Sequence, residues 1–128
     1  MLTLIRNAAI YRPDFIGVQD ILFSGRDVIS IGSKIEMPQS QWLTQIDAKG
    51  RALIPGLVDP LVHITGGGGE GGYHTRTPEM NLTDATLAGV TTLVAALGTD
   101  AVSRSLNELV VKAKALTYEG VSVYCYTG

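Results

Sequence analysis

At Pro55 the hydrophobic period of this 128-residue chain changes, and that change limits the folds open to it. Before Pro55 the apolar residues come in short β-branched or aromatic runs: Leu2 to Tyr11, Val18 to Phe23 and Val28 to Ile31. Ser24-Gly25-Arg26-Asp27 separates the last two, and a glycine there supplies the positive φ that a hairpin turn demands. Gly32-Ser33-Lys34 and Met37-Pro38-Gln39 read as loops, with Trp42, Leu43 and Ile46 as one more short strand. Residues 1–52 are therefore expected to form a small antiparallel β domain.

Beyond Pro55 strand and helix patterns alternate. Leu57 to Ile64 is mostly apolar and β-favouring, and a glycine cluster from Gly66 to Gly72, broken only by Glu70, follows it. Thr77-Pro78 predicts a helix start, since Thr can cap and Pro suits the first helical position. That helix would carry Met80, Leu82, Ala85 and Leu87 and stop at Gly89. Val90 to Leu97 is a continuous apolar run, as in a strand of a parallel sheet. A second helix is predicted from about Val102, with Ser105 and Glu108 at capping-box spacing. Its apolar face would be Leu106, Leu109, Val110, Ala113 and Leu116, and Gly120 would end it. Val121 to Tyr126 reads as a third strand.

This βαβαβ order predicts an α/β fold with right-handed crossovers. A (β/α)8 TIM-like barrel takes ~250 residues, or ~30 per unit. Residues 53–128 would then be the first three strands and two helices of an incomplete barrel. Three parallel strands leave an open edge, which is a liability for a monomer. A mean hydropathy of +0.21 agrees. The expectation is a homo-oligomer or a missing C-terminal portion.

Ten Lys and Arg against twelve Asp and Glu give a net charge of −2 and a pI near 5.6. Such a balance offers no basic footprint for nucleic acid and no polybasic membrane patch. The one cysteine, Cys125, excludes an intrachain disulfide framework. No apolar run approaches the ~20 residues of a membrane span, and the first residues lack the pattern of a signal peptide. A cytoplasmic protein is expected.

The chemistry concentrates between Pro55 and Gly72. Strand alternation would put Asp59, Leu61 and His63 on one face. In a barrel that face lines the lumen, at the strand end where active sites lie. His63 is open to two readings from the pattern alone, a hydrogen-bonded core histidine or a ligand. Asp59 reads either as a lumen carboxylate or as a group that orients nearby backbone. Gly66-x-Gly68-x-x-Gly71 also matches the dinucleotide fingerprint, but that motif opens directly into a helix, and Tyr73 to Pro78 intervenes. No acid follows at the end of the second strand to hold a ribose.

Pro55-Gly56-Leu57-Val58-Asp59-Pro60-Leu61-Val62-His63 resembles the first-strand motif of the amidohydrolase superfamily, metal-dependent hydrolases built on (β/α)8 barrels. The Gly66–Gly72 run, Thr75-Arg76-Thr77-Pro78-Glu79, Ala88-Gly89-Val90-Thr91, Gly98-Thr99-Asp100, Ser103-Arg104 and Glu119-Gly120 narrow the likeness. They are similar to the N-terminal third of the isoaspartyl dipeptidase family. The resemblance implies a zinc enzyme that hydrolyses β-aspartyl dipeptides through a metal-activated water. His63 would be a zinc ligand. Gly68 and Gly69 would let backbone approach the dipeptide, Glu70 would hold its α-ammonium, and Thr99 would bond its carboxylate end. The chain departs from the pattern at Leu61, where the family's His-x-His motif has its other ligand. A leucine has no donor atom. The carboxylated lysine, two further histidines and catalytic aspartate of the family come from later strands, and His74 reads as a solvated loop residue. This chain alone is therefore expected to be inactive, and the rival reading is a non-catalytic fragment or assembly partner.

Overall fold

A computed structural model describes residues 1–100 and 102–127. The chain divides into two compact units, residues 1–55 and 56–128.

The first unit is one sheet. Strand β1 (Leu2–Tyr11) pairs antiparallel with β2 (Phe15–Ser24), which pairs antiparallel with β3 (Asp27–Gly32). The turn between β2 and β3 falls at Gly25, whose φ of 58° only glycine adopts at little cost. Strands β4 (Leu43–Asp47) and β5 (Ala52–Leu53) both run parallel to β1. The sheet is thus mixed, which corrects the expectation of an antiparallel unit. The ten residues between β3 and β4 carry the chain past β2 to the far edge of β1, so β4 enters in the same direction as β1. Local alternation has no record of that crossing.

The core of this unit is Ala8, Ile10 and Ile21, with Ile5, Phe23, Ile31, Ala48 and Leu53 packed on it. Beside it β1 bulges: three steps from Ile5 to Ala8 oppose two from Ile21 to Gln19. Asn7 in the bulge has φ 54°, and the buried Asp20 faces it. Asp20 accepts from Arg6 Nη1 at 2.8 Å and from the backbone N–H groups of Asn7 and Ile35, each at 3.1 Å. Burial pushes this carboxyl up, but the two N–H groups and the Arg6 guanidinium outweigh it and hold it below its ordinary 3.8.

In the second unit β6 (Leu57–Val62), β7 (Val90–Ala95) and β8 (Ser122–Cys125) form a parallel sheet in that order. Helices α1 (Leu82–Thr86) and α2 (Leu106–Glu119) supply the connections. Leu93 and Ala95 of β7, Leu109, Ala113 and Leu116 of α2, Ala85 of α1, Ile64 and Val121 make one buried cluster. Val62, Val123 and Cys125 pack against it from the same face of the sheet. Leu61 and Tyr124, on neither side of that cluster, are largely exposed.

Three sequence expectations change here. The first helix starts at the N-cap Asn81, not at Thr77-Pro78, through a reciprocal capping box between Asn81 and Asp84. Residues 77–80 stay out of the helix because they bond back to the segment after β6: Thr77 N–H to Gly67 O and Met80 N–H to Ile64 O, both at 2.9 Å. Leu87, expected on the apolar face, is 88% exposed, since the helix has already ended. The second helix begins at Leu106 rather than near Val102, because Asp100 takes the N–H groups of Val102 and Ser103 in a turn of its own. Ser105 then caps by accepting from Glu108 N–H at 3.2 Å. Lastly, β6 bulges, with Asp59 to Val62 opposing Leu93 to Ala95, so simple alternation does not carry from Asp59 to Leu61 and His63.

The geometry at Asp20 sets a pH dependence. Its folded-state pKa lies below the unfolded value, so its stabilisation is present above about pH 3.8 and is lost as the pH falls through the lower folded value. Asp20→Asn should cost about 2–3 kcal/mol at neutral pH. Urea unfolding of both proteins at neutral pH and at about pH 3 should show the gap narrowing in acid.

Candidate functional site

The loops leaving the carboxyl ends of β6 and β7 lie side by side, which follows from parallel pairing of the two strands. In open parallel sheets this end is where ligands bind. The β6 loop is the glycine cluster. Gly66, Gly68, Gly69 and Gly72 all have positive φ, from 69° to 109°, and a Cβ on Gly68 would sit 2.5 Å from Thr75 O. Thr77 anchors the loop by accepting from Gly67 N–H at 2.7 Å. After Gly72 the chain makes a single 3-10 turn, Tyr73–Thr75, and not the long helix that a dinucleotide motif requires.

The β7 loop contributes Gly98, Thr99, Asp100 and Arg104. Arg104 is buried and donates to Gly67 O at 3.0 Å and Gly68 O at 3.2 Å. Asp100 pairs with Arg76 at 3.7 Å, so the two loops are joined twice. The Ser103 hydroxyl and the N–H groups of Ser103 and Val102 hold the Asp100 carboxyl below its usual range against partial desolvation, with Arg76 adding to them.

Gly69, Glu70, Tyr73, Thr99, Asp100 and Val102 line a cleft of about 330 Å³. Glu70 is exposed at this cleft. Its own backbone N–H and the Thr99 hydroxyl lower its pKa against some desolvation, helped by the proximity of Arg104 and His63. Thr99 Oγ1 also lies 3.5 Å from Gly68 O. That distance is the outer limit of a hydrogen bond, so Thr99 is only weakly tied to the glycine loop. Glu70, Thr99, Gly68 and Gly69 are thus brought together.

His63 sits just past the end of β6, with Nδ1 3.2 Å from Ala96 O. A carbonyl can only accept, so Nδ1 carries a proton, which in the neutral ring is the tautomer with the lone pair on Nε2. Leu61 is 63% exposed and brings no donor atom to the sheet end. Its N–H bonds to Asp59 Oδ1 at 3.1 Å, which gives Asp59 a backbone-orienting role. His74 is exposed in the 3-10 turn. Among the described residues no three His, Cys, Asp or Glu side chains converge as a metal site. One imidazole beside a leucine does not fit a zinc centre, which takes three or four protein donors.

Two residues of this arrangement entered the sequence reading only as part of the likeness, with no role given to them. Arg104 stands in a polar stretch before the helix, and Gly98 is one glycine among 15; only the fold packs one against the other.

No family model matches the chain. A solved beta-aspartyl dipeptidase from Fervidobacterium islandicum AW-1 is 45% identical and superposes with a TM-score of 0.87 over 100% of this chain and 35% of its own. The chain resembles beta-aspartyl dipeptidase. The same dipeptidase in complex with a β-Asp-Leu dipeptide superposes with a TM-score of 0.86 at 45% identity, over 100% of this chain and 33% of that one. A dihydroorotase of Staphylococcus epidermidis is 37% identical over 90 residues, 70% of this chain and 20% of the relative. The chain spans about a third of the length of the dipeptidase and a fifth of that dihydroorotase. No helix in it is long and apolar enough to cross a membrane.

The loop geometry depends on residues without a Cβ. Gly68→Ala would combine φ 69° with a clash against the Thr75 carbonyl. It should destabilise the second unit by about 1–3 kcal/mol, read from chemical unfolding.

Proposed function

We propose that this chain is the dipeptide-recognition segment of a β-aspartyl dipeptidase-type barrel hydrolase, with residues 1–52 as its small β domain and residues 53–128 as its first strands. The observation that carries the reading is the cleft of Glu70, Thr99 and the glycine loop, in a chain 45% identical to a protein solved with β-Asp-Leu. An ionised carboxylate at a cleft mouth suits an α-ammonium group, and a charge-assisted bond is about twice as strong as a neutral one. The pKa of Glu70 lies below its ordinary value, which favours the charged form. Thr99 orients that carboxylate, and the glycines allow backbone to approach the ligand.

Zinc is the metal the resemblance implies, but the described residues do not make a site for it, and His63 is the one imidazole at this end of the sheet that could contribute a donor. These 128 residues account for substrate recognition and not for bond cleavage. The unpaired outer edges of β6 and β8, among the described residues, call for cover by further strands or a second copy. The single free Cys125 suits a reducing, cytoplasmic setting. A second reading, a non-catalytic homologue acting through assembly, is favoured by Leu61 alone.

The test is titration of the purified chain with β-Asp-Leu, followed by NMR, together with an assay for leucine release. Binding is expected, weakened about tenfold or more by Glu70→Gln, with no hydrolysis. Absence of binding would remove the recognition role. Leucine release by the chain itself would overturn its inactivity.

A further inference from the structure

The guanidinium of Arg104 is the most unusual buried group outside the residues assigned above. It is 5% exposed and forms no salt bridge among the described residues. Its Nε has no hydrogen-bond partner. A buried cation costs several kcal/mol of desolvation in ~ε 4 surroundings, and a methionine would fill similar space without that cost. What the charge does is local. Nη1 and Nη2 fork onto the carbonyls of Gly68 and Gly67, which are consecutive in the glycine loop.

A trans peptide is planar, with its C=O and N–H on opposite sides. Turning the Gly67 and Gly68 carbonyls onto Arg104 therefore turns the N–H groups of Gly68 and Gly69 away from it. Gly69 is the residue of this pair that lines the cleft, next to Glu70. The seat of the guanidinium is shaped for it. A Cβ on Gly98 would lie 2.6 Å from Nη1, 3.1 Å from Cζ and 2.9 Å from Gly66 O. Position 98 is glycine because the guanidinium and the glycine loop close directly on its backbone.

We propose that Arg104 is a positioning residue for ligand recognition: its fork on Gly67 and Gly68 sets the peptide planes that present the Gly69 N–H and the Glu70 carboxylate together, so that the cleft selects an amino-acid headgroup bearing both a free ammonium and a carboxylate. The assignment rests on the dipeptide reading above and adds the determinant of its selectivity. Arg104 touches no ligand itself. Lysine keeps the charge but offers a single ammonium in place of the planar fork, so it cannot hold both carbonyls at once.

The experiment uses the 128-residue chain as wild type, Arg104→Lys, Arg104→Met and Gly98→Ala. Heteronuclear NOE values of the Gly66–Gly72 amides are measured without ligand. Dissociation constants are then measured for β-Asp-Leu and for its N-acetyl derivative, which lacks the ammonium. The expected result for Arg104→Lys is a folded protein with a disordered glycine loop. Its affinity for β-Asp-Leu should fall about tenfold, the scale of losing a supporting partner, with a smaller fall for the acetylated peptide, which keeps only the carboxylate contact. Wild-type loop order and wild-type discrimination in Arg104→Lys and Arg104→Met would overturn the proposal. Should Arg104→Met fail to fold, Gly98→Ala decides, because it keeps the charge and displaces the fork; an ordered loop in that variant counts against the assignment. If the wild type binds neither peptide, the dipeptide reading and the selectivity both fail. The ligand-free NOE values still show whether Arg104 orders the loop.

Discussion

Two loops that leave neighbouring parallel strands have no strand ladder to hold them together, and here a buried guanidinium does it. Arg104 reaches from the segment before α2 to two carbonyls of the glycine loop, across 36 and 37 residues of sequence. The Arg76–Asp100 pair ties the same loops a second time. Between these ties lie Glu70 and Thr99, the groups that give the cleft its charge and hydrogen-bonding character. Backbone carbonyls are the partners of choice for such a cation. They accept from Nη1 and Nη2 without neutralising the charge, so part of its field remains to favour an ionised Glu70.

The first unit meets a similar demand with the opposite charge. A bulge in β1 leaves the Asn7 N–H outside the ladder, and buried Asp20 takes it together with the Ile35 N–H and the Arg6 guanidinium. Both devices are buried charges stabilised by fixed dipoles. In each, glycine or a positive-φ residue, Gly98 or Asn7, lets the backbone come close enough.

The end of β6 at His63 is less furnished with polar groups than the cleft of Glu70 and Thr99. His63 is held by Ala96 O in the tautomer that leaves Nε2 free, as a ligating histidine would be. Leu61 stands nearby in sequence with no donor, and among the described residues no three His, Cys, Asp or Glu side chains converge as a metal site. The geometry therefore supports binding of a polar ligand more directly than it supports cleavage.

Much of this was written locally in the chain. Alternation of strand and helix after Pro55, the turn at Gly25, the Gly120 helix stop and the likeness of the Gly66–Gly98 block were all legible, because period and turn chemistry are short-range. The candidate residues Glu70 and Thr99 were legible only through that likeness. Tertiary structure alone decided that β4 runs parallel to β1, that Thr77 to Met80 bond back to the segment after β6 instead of starting a helix, and that Arg104 turns inward onto Gly67 and Gly68. Each depends on a hydrogen bond or strand pairing between residues distant in sequence. Such a partner leaves no periodic trace, and a polar residue reads as solvated until the fold buries it.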